Sequence, residues 1–406
     1  MRCALEGAAV CVAPSMNAQE VANAVWALAT LGWQVQEQGS MRRALEASAV
    51  RVAPSMNAQD VANTIWALAT LHWPFGEGAM RSALEGAAVR LAPSMKAQEV
   101  SNSLWGLATL GGQPRDESVR QGLEAASLRH CPSMNSQNVA NTLWAMATLK
   151  WQPTTHGLHE GLEGAALRQS PSMGPQDVAN TLWGMATLAW QLTDSSLRDA
   201  LEDAALRLCP TMNSQCLGNI LWSMAVLGWD ASEQMSTALN GSISRLCEDN
   251  ASIDSRQLHQ LFQAHLASQQ LGSGRILLPP AILKMASREV QDVALKTRTS
   301  IMQCEVVDSL GRLGYAHEVE YVTADGFFSI DIAIAASKIA IEIDGPSHFT
   351  ANTLEPLGHT RFRDRLLSSM GWRVIAIPYF EWGKLHEGFH VKDAYIAQLI
   401  GGMHVS

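Results

Sequence analysis

The tripeptide Pro-Ser-Met, or Pro-Thr-Met in its last copy, recurs six times, with its proline at Pro14, Pro54, Pro93, Pro132, Pro171 and Pro210. The intervals are 40, 39, 39, 39 and 39 residues. Twelve residues after each proline stands a tryptophan: Trp26, Trp66, Trp105, Trp144, Trp183 and Trp222. Three before each of these stands an asparagine: Asn23, Asn63, Asn102, Asn141, Asn180 and Asn219. A unit of this length holds about two helices, which cannot bury their apolar faces alone and must stack on their neighbours.

Within a unit, an Ala- and Leu-rich stretch such as 82–91 reads as a first helix that the proline stops. The second helix opens at an N-cap, as at Asn17 with Glu20 or Asn57 with Asp60. It runs with Val21, Val25, Leu28 and Leu31 at helical spacing and stops near Gly32-Trp33. A second tryptophan recurs at Trp33, Trp73, Trp151, Trp190 and Trp229, with Gly112 in its place in the third unit. The expected fold is an α-solenoid of αα-hairpin repeats over 1–229. Residues 230–270 read as a degenerate capping repeat, with Asp254 as N-cap, Leu258, Leu261 and Phe262 as its apolar face, and Gln263 where the tryptophan is due. Residues 271–313 read as a Gly- and Pro-bearing linker and a helix.

From 314 to 402 the text changes to short β-branched runs (HEVEYV, FFSIDIAIA, KIAIEIDG), a basic helical stretch, a further strand and a last helix, which describe a small α/β domain. The phrases IEIDGPSHF and RFRDRLLSSMGWRVIAIPYFEW (361–382) closely resemble the RAP domain. The upstream array resembles octotricopeptide repeats. The resemblance implies an organellar RNA-binding protein, related to FAST kinase-like proteins, that acts in post-transcriptional RNA metabolism: transcript stability, RNA or rRNA processing, splicing or translation. It implies single-stranded RNA and organellar ribonucleoproteins as partners, and a mitochondrial or chloroplast address. No Arg-rich, acid-poor presequence precedes the first repeat, so the expectation is a fragment of a longer product or a missing targeting segment.

Composition limits how RNA would be held. Lys and Arg total 29 against 38 Asp and Glu, a net charge of −9, so a polyanion must meet a local stripe. The seven cysteines form no CxxC pair, which fits a reducing compartment without a disulfide framework or zinc knuckle. No apolar run is long enough for a membrane span.

Arg51, Arg90, Arg129, Arg168 and Arg207 stand three before successive prolines. Stacked, they form either a phosphate track or a row that favours helix C-termini, with Glu46, Glu85, Glu124, Glu163 and Glu202 five earlier. Asn63, Asn102, Asn141 and Asn180 read as contacts to base edges or as a structural ladder. Their invariance rules them out as the position that distinguishes bases. The next residues, Thr64, Ser103, Thr142 and Thr181, do vary and are candidate base readers. The tryptophans offer stacking platforms, but at fixed spacing beside Leu and Val they read as core.

In the terminal domain, Asp331, Glu342 and Asp344 lie on neighbouring predicted strands. The order resembles the PD-(D/E)xK nuclease core, with Asp344 in the lysine slot and His348 as a substitute base. RNA binding requires no cofactor, whereas a metal-dependent endoribonuclease would take Mg²⁺ on these carboxylates. Asp344-Gly345-Pro346 also reads as plain turn chemistry. Arg361, Arg363 and Arg365 are a candidate basic RNA-contacting face, and Trp372 and Trp382 are expected to pack the sheet against their helix. A protein-interaction scaffold is the remaining alternative.

Overall fold

The computed structural model describes residues 2–33, 39–74, 78–111, 113–248, 253–272, 276–295, 299–385 and 388–401. Gly112 and most of the Gly-Ser-Gly-Arg text lie outside the described residues. The chain forms two compact units: Met1–Met185 with Gln191–Ala205, and Ala186–Trp190 with Leu206–Ser406. The division cuts the sixth repeat: residues 191–205, with most of its first helix, belong to the first unit, while its second helix and the helices after it share a unit with the terminal sheet.

Helices pair as the repeat predicts. The first helices are α1 (Arg2–Val12), α3 (Ser40–Val52), α5 (Ala79–Leu91), α7 (Glu117–His130), α9 (Leu158–Gln169) and α11 (Ser195–Leu208). The second helices are α2 (Ala18–Thr30), α4 (Ala58–Thr70), α6 (Ala97–Leu110), α8 (Ser136–Thr148), α10 (Pro175–Thr187) and α12 (Ser214–Leu227). Each recurring proline sits inside a single 3-10 turn, such as Ala53–Ser55, after which the chain extends at Met56. The N-caps are those expected: Asn17 with Glu20 and Asn57 with Asp60 form reciprocal capping boxes, as does Asn135 with Asn138. The helix stop at Gly32 has positive φ. At the matching place His72, Lys150 and Ala189 take the same left-handed conformation. Beside Lys150, the Trp151 amide donates to the Met146 carbonyl at 2.7 Å and closes the helix end. Trp73 and Trp151 then cover that end and are almost fully buried.

Neighbouring second helices in the first unit pack closely. Val61, Ile65, Val100, Leu104, Val139 and Leu143 are inaccessible to solvent. A Cβ at Gly184 would lie 2.8 Å from the Leu143 backbone, so the glycine permits this approach.

The second unit continues with α13 (Glu233–Glu248) and α14 (Ser255–Gln270), the latter capped by Asp254 and Gln257. The expected linker is tied down: Ile276 donates its amide to Ser268 Oγ, and Ile276 and Leu278 are buried. The helical text that follows is two helices, α15 (Pro280–Ala294) and α16 (Ile301–Arg312), because Ser300 caps a new start by accepting from the Gln303 amide.

A four-stranded mixed sheet follows: β1 (Glu318–Val322), β2 (Ser329–Ile334), β3 (Ile339–Asp344) and β4 (Arg373–Pro378), in that spatial order. The first two pairings are antiparallel and β3–β4 is parallel, the crossover being α17 (Gly358–Ser369). Strand alternation assigns the two faces. Ile332, Ile334, Ile339, Ile341, Ile375 and Ile377 join Val306, Leu310, Trp382 and Ile396 in one core, beneath α16 and α19 (Phe389–Gly401). Trp382, in the short helix α18 (Tyr379–Trp382), thus packs on the face away from the expected one. Asp331, Glu342 and Asp344 fall on the other face, with α17.

Candidate nucleic-acid interface

Once Val, Leu and Ala of a second helix are buried between its neighbours, one narrow face is left. On α4 it comprises Gln59, Asn63, Trp66 and Thr70; on α8 it comprises Gln137, Asn141, Trp144 and Thr148. The same residue types face outward on α6, as Gln98, Asn102, Trp105 and Thr109. The face is uncharged and repeats at each step. Its indoles form a stair: Trp66–Trp105, Trp105–Trp144 and Trp144–Trp183 each have ring centroids 6.4 Å apart, tilted by 32–34°. Trp26 is 44% exposed, while Trp66, Trp105, Trp144 and Trp183 are partly exposed, so five of the first tryptophan set are not core as expected; Trp222 in the sixth repeat is buried. Asn63, Asn102, Asn141 and Asn180 lie one helical turn before these indoles and are partly exposed too. Among the described residues their amides make no hydrogen bond. In the sixth repeat the position is used internally, where buried Asn219 Oδ1 accepts from Gln260 Nε2 at 3.0 Å.

Thr64, Ser103, Thr142 and Thr181 are completely buried between neighbouring helices, where no base can reach them. Thr64 donates to the Asp60 carbonyl one turn back at 2.7 Å. The expected base-reading role of this set is overturned by helix geometry, since the next residue lies about 100° around the helix from the exposed asparagine.

The arginine row has a structural task. Nη2 of Arg51 donates to the Met16 carbonyl at 2.6 Å, that of Arg90 to Ala53 and Met56 at 3.1 Å each, and that of Arg129 to Ala92 at 2.8 Å. Arg168 reaches the Cys131 carbonyl at 2.6 Å. Each arginine therefore staples its own repeat to the 3-10 turn of the one before, beside the N-terminal end of a second helix. Their side chains, and that of Arg207, are otherwise exposed. Arg245 repeats the contact on the Cys209 carbonyl at 2.9 Å. The sequence reading missed it because no proline follows in register, although its spacing of 38 from Arg207 was a usable signal. The row of Gln59, Gln98, Gln137 and Gln176 was missed as well, although it is as regular as the asparagines. Glu46, Glu85, Glu124 and Glu163 are engaged elsewhere: Glu46 by Arg42, Glu85 by Arg81 and Glu163 by the Thr193 amide, while Glu124 Oε2 accepts from the Thr154 and Thr155 amides at 3.1 and 2.9 Å, holding the following inter-repeat turn.

In the terminal domain the three carboxylates share one sheet face but close around a cation of the protein's own. Arg363 Nη2 lies 2.7 Å from Glu342 Oε2 and 2.5 Å from the Ser329 carbonyl. Asp331 Oδ2 accepts from the Ile343 amide at 2.7 Å, and Asp344 lies 3.2 Å from His348 Nδ1. Burial is the largest cause raising these carboxyls, Glu342 to about 8 and Asp344 to about 7, with Asp331 raised as well. Among the described residues no group of three or more His, Cys, Asp or Glu is placed to hold a metal. A dication would face the guanidinium at close range, so these residues do not fit Mg²⁺. Arg361, Arg363 and Arg365 do not form a common face: Arg361 pairs with Glu355 at 3.0 Å, Arg363 enters the carboxylate cluster, and Arg365 donates to the Ala225 and Val226 carbonyls at the end of α12.

These features define a helical-repeat protein that ends in a small mixed α/β domain. Residues 341–399 match the family model described as RAP domain, and this C-terminal module is a RAP domain. Residues 13–25, 33–65, 127–143 and 170–182 match the model described as Protein of unknown function (DUF1601). Over 103 residues, 25% of this chain, the sequence is 39% identical to "RAP domain-containing protein, chloroplastic" of Oryza sativa subsp. japonica. The match spans 16% of that relative's length. No helix among the described residues is long and apolar enough to cross a membrane.

Proposed function

We propose that this chain is an organellar RNA-binding protein whose second helices hold single-stranded RNA and whose RAP domain assists. The observation that carries the reading is the indole stair with an unbonded amide one turn away in each step. Bases stack on indoles without regard to sequence, and amides meet base edges. The staple arginines, at the N-terminal ends of these helices, meet phosphates with the N–H groups that the carbonyls leave over. RAP domains are associated with RNA binding, and the rice relative's name supports an organellar address, chloroplast or mitochondrion. The role belongs to post-transcriptional RNA metabolism, with transcript stability, processing, splicing and translation as its candidate steps.

Fluorescence anisotropy with a labelled single-stranded RNA tests the reading. Binding is expected to weaken steeply as salt rises and to fall when Trp105 and Trp144 are replaced by alanine. Equal binding to an RNA duplex, or no binding at low salt, overturns it and leaves the scaffold alternative.

A further inference from the structure

The second unit encloses a cavity of about 280 Å³ between α14, α15, the turn joining β1 to β2, and α17. It exists because the capping repeat departs from the pattern. Where six repeats carry an indole, α14 carries Gln263, whose Oε1 accepts from Trp222 Nε1 at 2.9 Å. The smaller side chain leaves the space open. One wall is apolar, with Val290 and Val293 of α15 and the ring of Phe327, which Phe262 holds edge-on at 4.6 Å. The opposite wall carries His348, His359 and Arg363, the two imidazoles having centroids 5.8 Å apart. Thr360 and Ser329 add hydroxyls to the lining.

An aromatic face on one side and a cluster of imidazole and guanidinium groups on the other suit a flat ring joined to an anion. The volume lies near the lower end of the ~300–1,000 Å³ usual for small-ligand sites, which suits one such unit and excludes a stretch of them. We propose that this cavity is a nucleotide site, which takes one unstacked base against Phe327 and its phosphate against His348, His359 and Arg363. The inference deepens the RNA-binding reading and rests on it for the source of the nucleotide, either one residue of the bound strand or a free nucleoside monophosphate.

The test is calorimetric titration of the full chain with AMP, GMP, CMP and UMP, alongside anisotropy with single-stranded RNA. At least one mononucleotide is expected to bind saturably. Gln263→Trp, which returns the repeat's own residue and fills the cavity, is expected to weaken that binding at least about tenfold. Gly86→Ala, in α5 with nothing within 4 Å of the added Cβ, is expected to leave mononucleotide binding unchanged. Displacement of the mononucleotide by single-stranded RNA identifies the strand as the source, and its retention identifies the free nucleotide; either supports the site. Should Gln263→Trp fail to fold, Val293→Phe narrows the cavity from the other wall and is read in the same way. Absence of saturable binding by all four nucleotides overturns the proposal, as does unchanged binding in a folded cavity-filled variant. Loss of RNA binding alone, with mononucleotide binding retained, counts against the repeat face and not against the cavity.

Discussion

The guanidinium of Arg363 holds the carboxylate of Glu342 at 2.7 Å, on the sheet face opposite the isoleucine core. The two residues are 21 positions apart, so neither the strand text nor the helix text reveals the pair. Burial of the carboxyls, which the guanidinium only partly opposes, makes stability depend on pH. The folded chain keeps Glu342 protonated up to about 8 and Asp344 up to about 7, while the unfolded chain releases these protons near the ordinary values of 4.5 and 3.8. Between those limits the folded state binds more protons, so stability is full below about pH 4 and is lost as pH rises toward 8. The slope is at most about 1.4 kcal/mol per pH unit for each proton. Thermal midpoints measured between about pH 5 and about pH 9 should fall, and Glu342→Gln should flatten the fall. A rising midpoint would contradict the burial of these groups.

Two helical glycines, one on a second helix and one on a first, should respond in opposite directions. A Cβ on Gly184 meets the Leu143 backbone at 2.8 Å, so Gly184→Ala forces two helices apart and should cost about 1–3 kcal/mol in urea unfolding. Gly86, within α5, has nothing within 4 Å of such a Cβ, and Gly86→Ala should add about 0.5–1 kcal/mol. Equal effects would mean that the second helices are not in contact as described.

Lys150 carries a φ of 56° at a helix end where the first repeat has glycine. The left-handed conformation strains a side-chain-bearing residue, so Lys150→Gly should stabilise the array by about 0.5–1 kcal/mol. Chemical denaturation of the pair would show it.

Much of this architecture is legible in the sequence because its signals are local. Caps, the proline turns and the alternation of Ile339, Ile341 and Ile343 each lie within a few residues of their partners. Rotation around a helix is less forgiving. Thr64 and Asn63 are adjacent in the text, yet one is inside and the other is on the open face. The same angular step sends Arg361, Arg363 and Arg365 to three destinations, although a run of alternate arginines reads as a single basic face. The two tryptophan sets also separate only in three dimensions: Trp73, Trp151 and Trp190 after the helix ends are covered, whereas Trp66, Trp105, Trp144 and Trp183 are partly exposed.

The arginine staples permit a separate test. Arg129 donates to the Ala92 carbonyl of the preceding repeat at 2.8 Å. Arg129→Met should therefore lower stability by about 1 kcal/mol. If its outward N–H groups also meet a phosphate, the slope of log K against log salt should fall by about one. An unchanged denaturation curve would remove the staple.

Because each guanidinium clasps the turn behind it, tension applied to one terminus would peel the array like a row of press-studs. A pulled molecule should lengthen in uniform jumps of about 130 Å, one hairpin of 39 residues at a time.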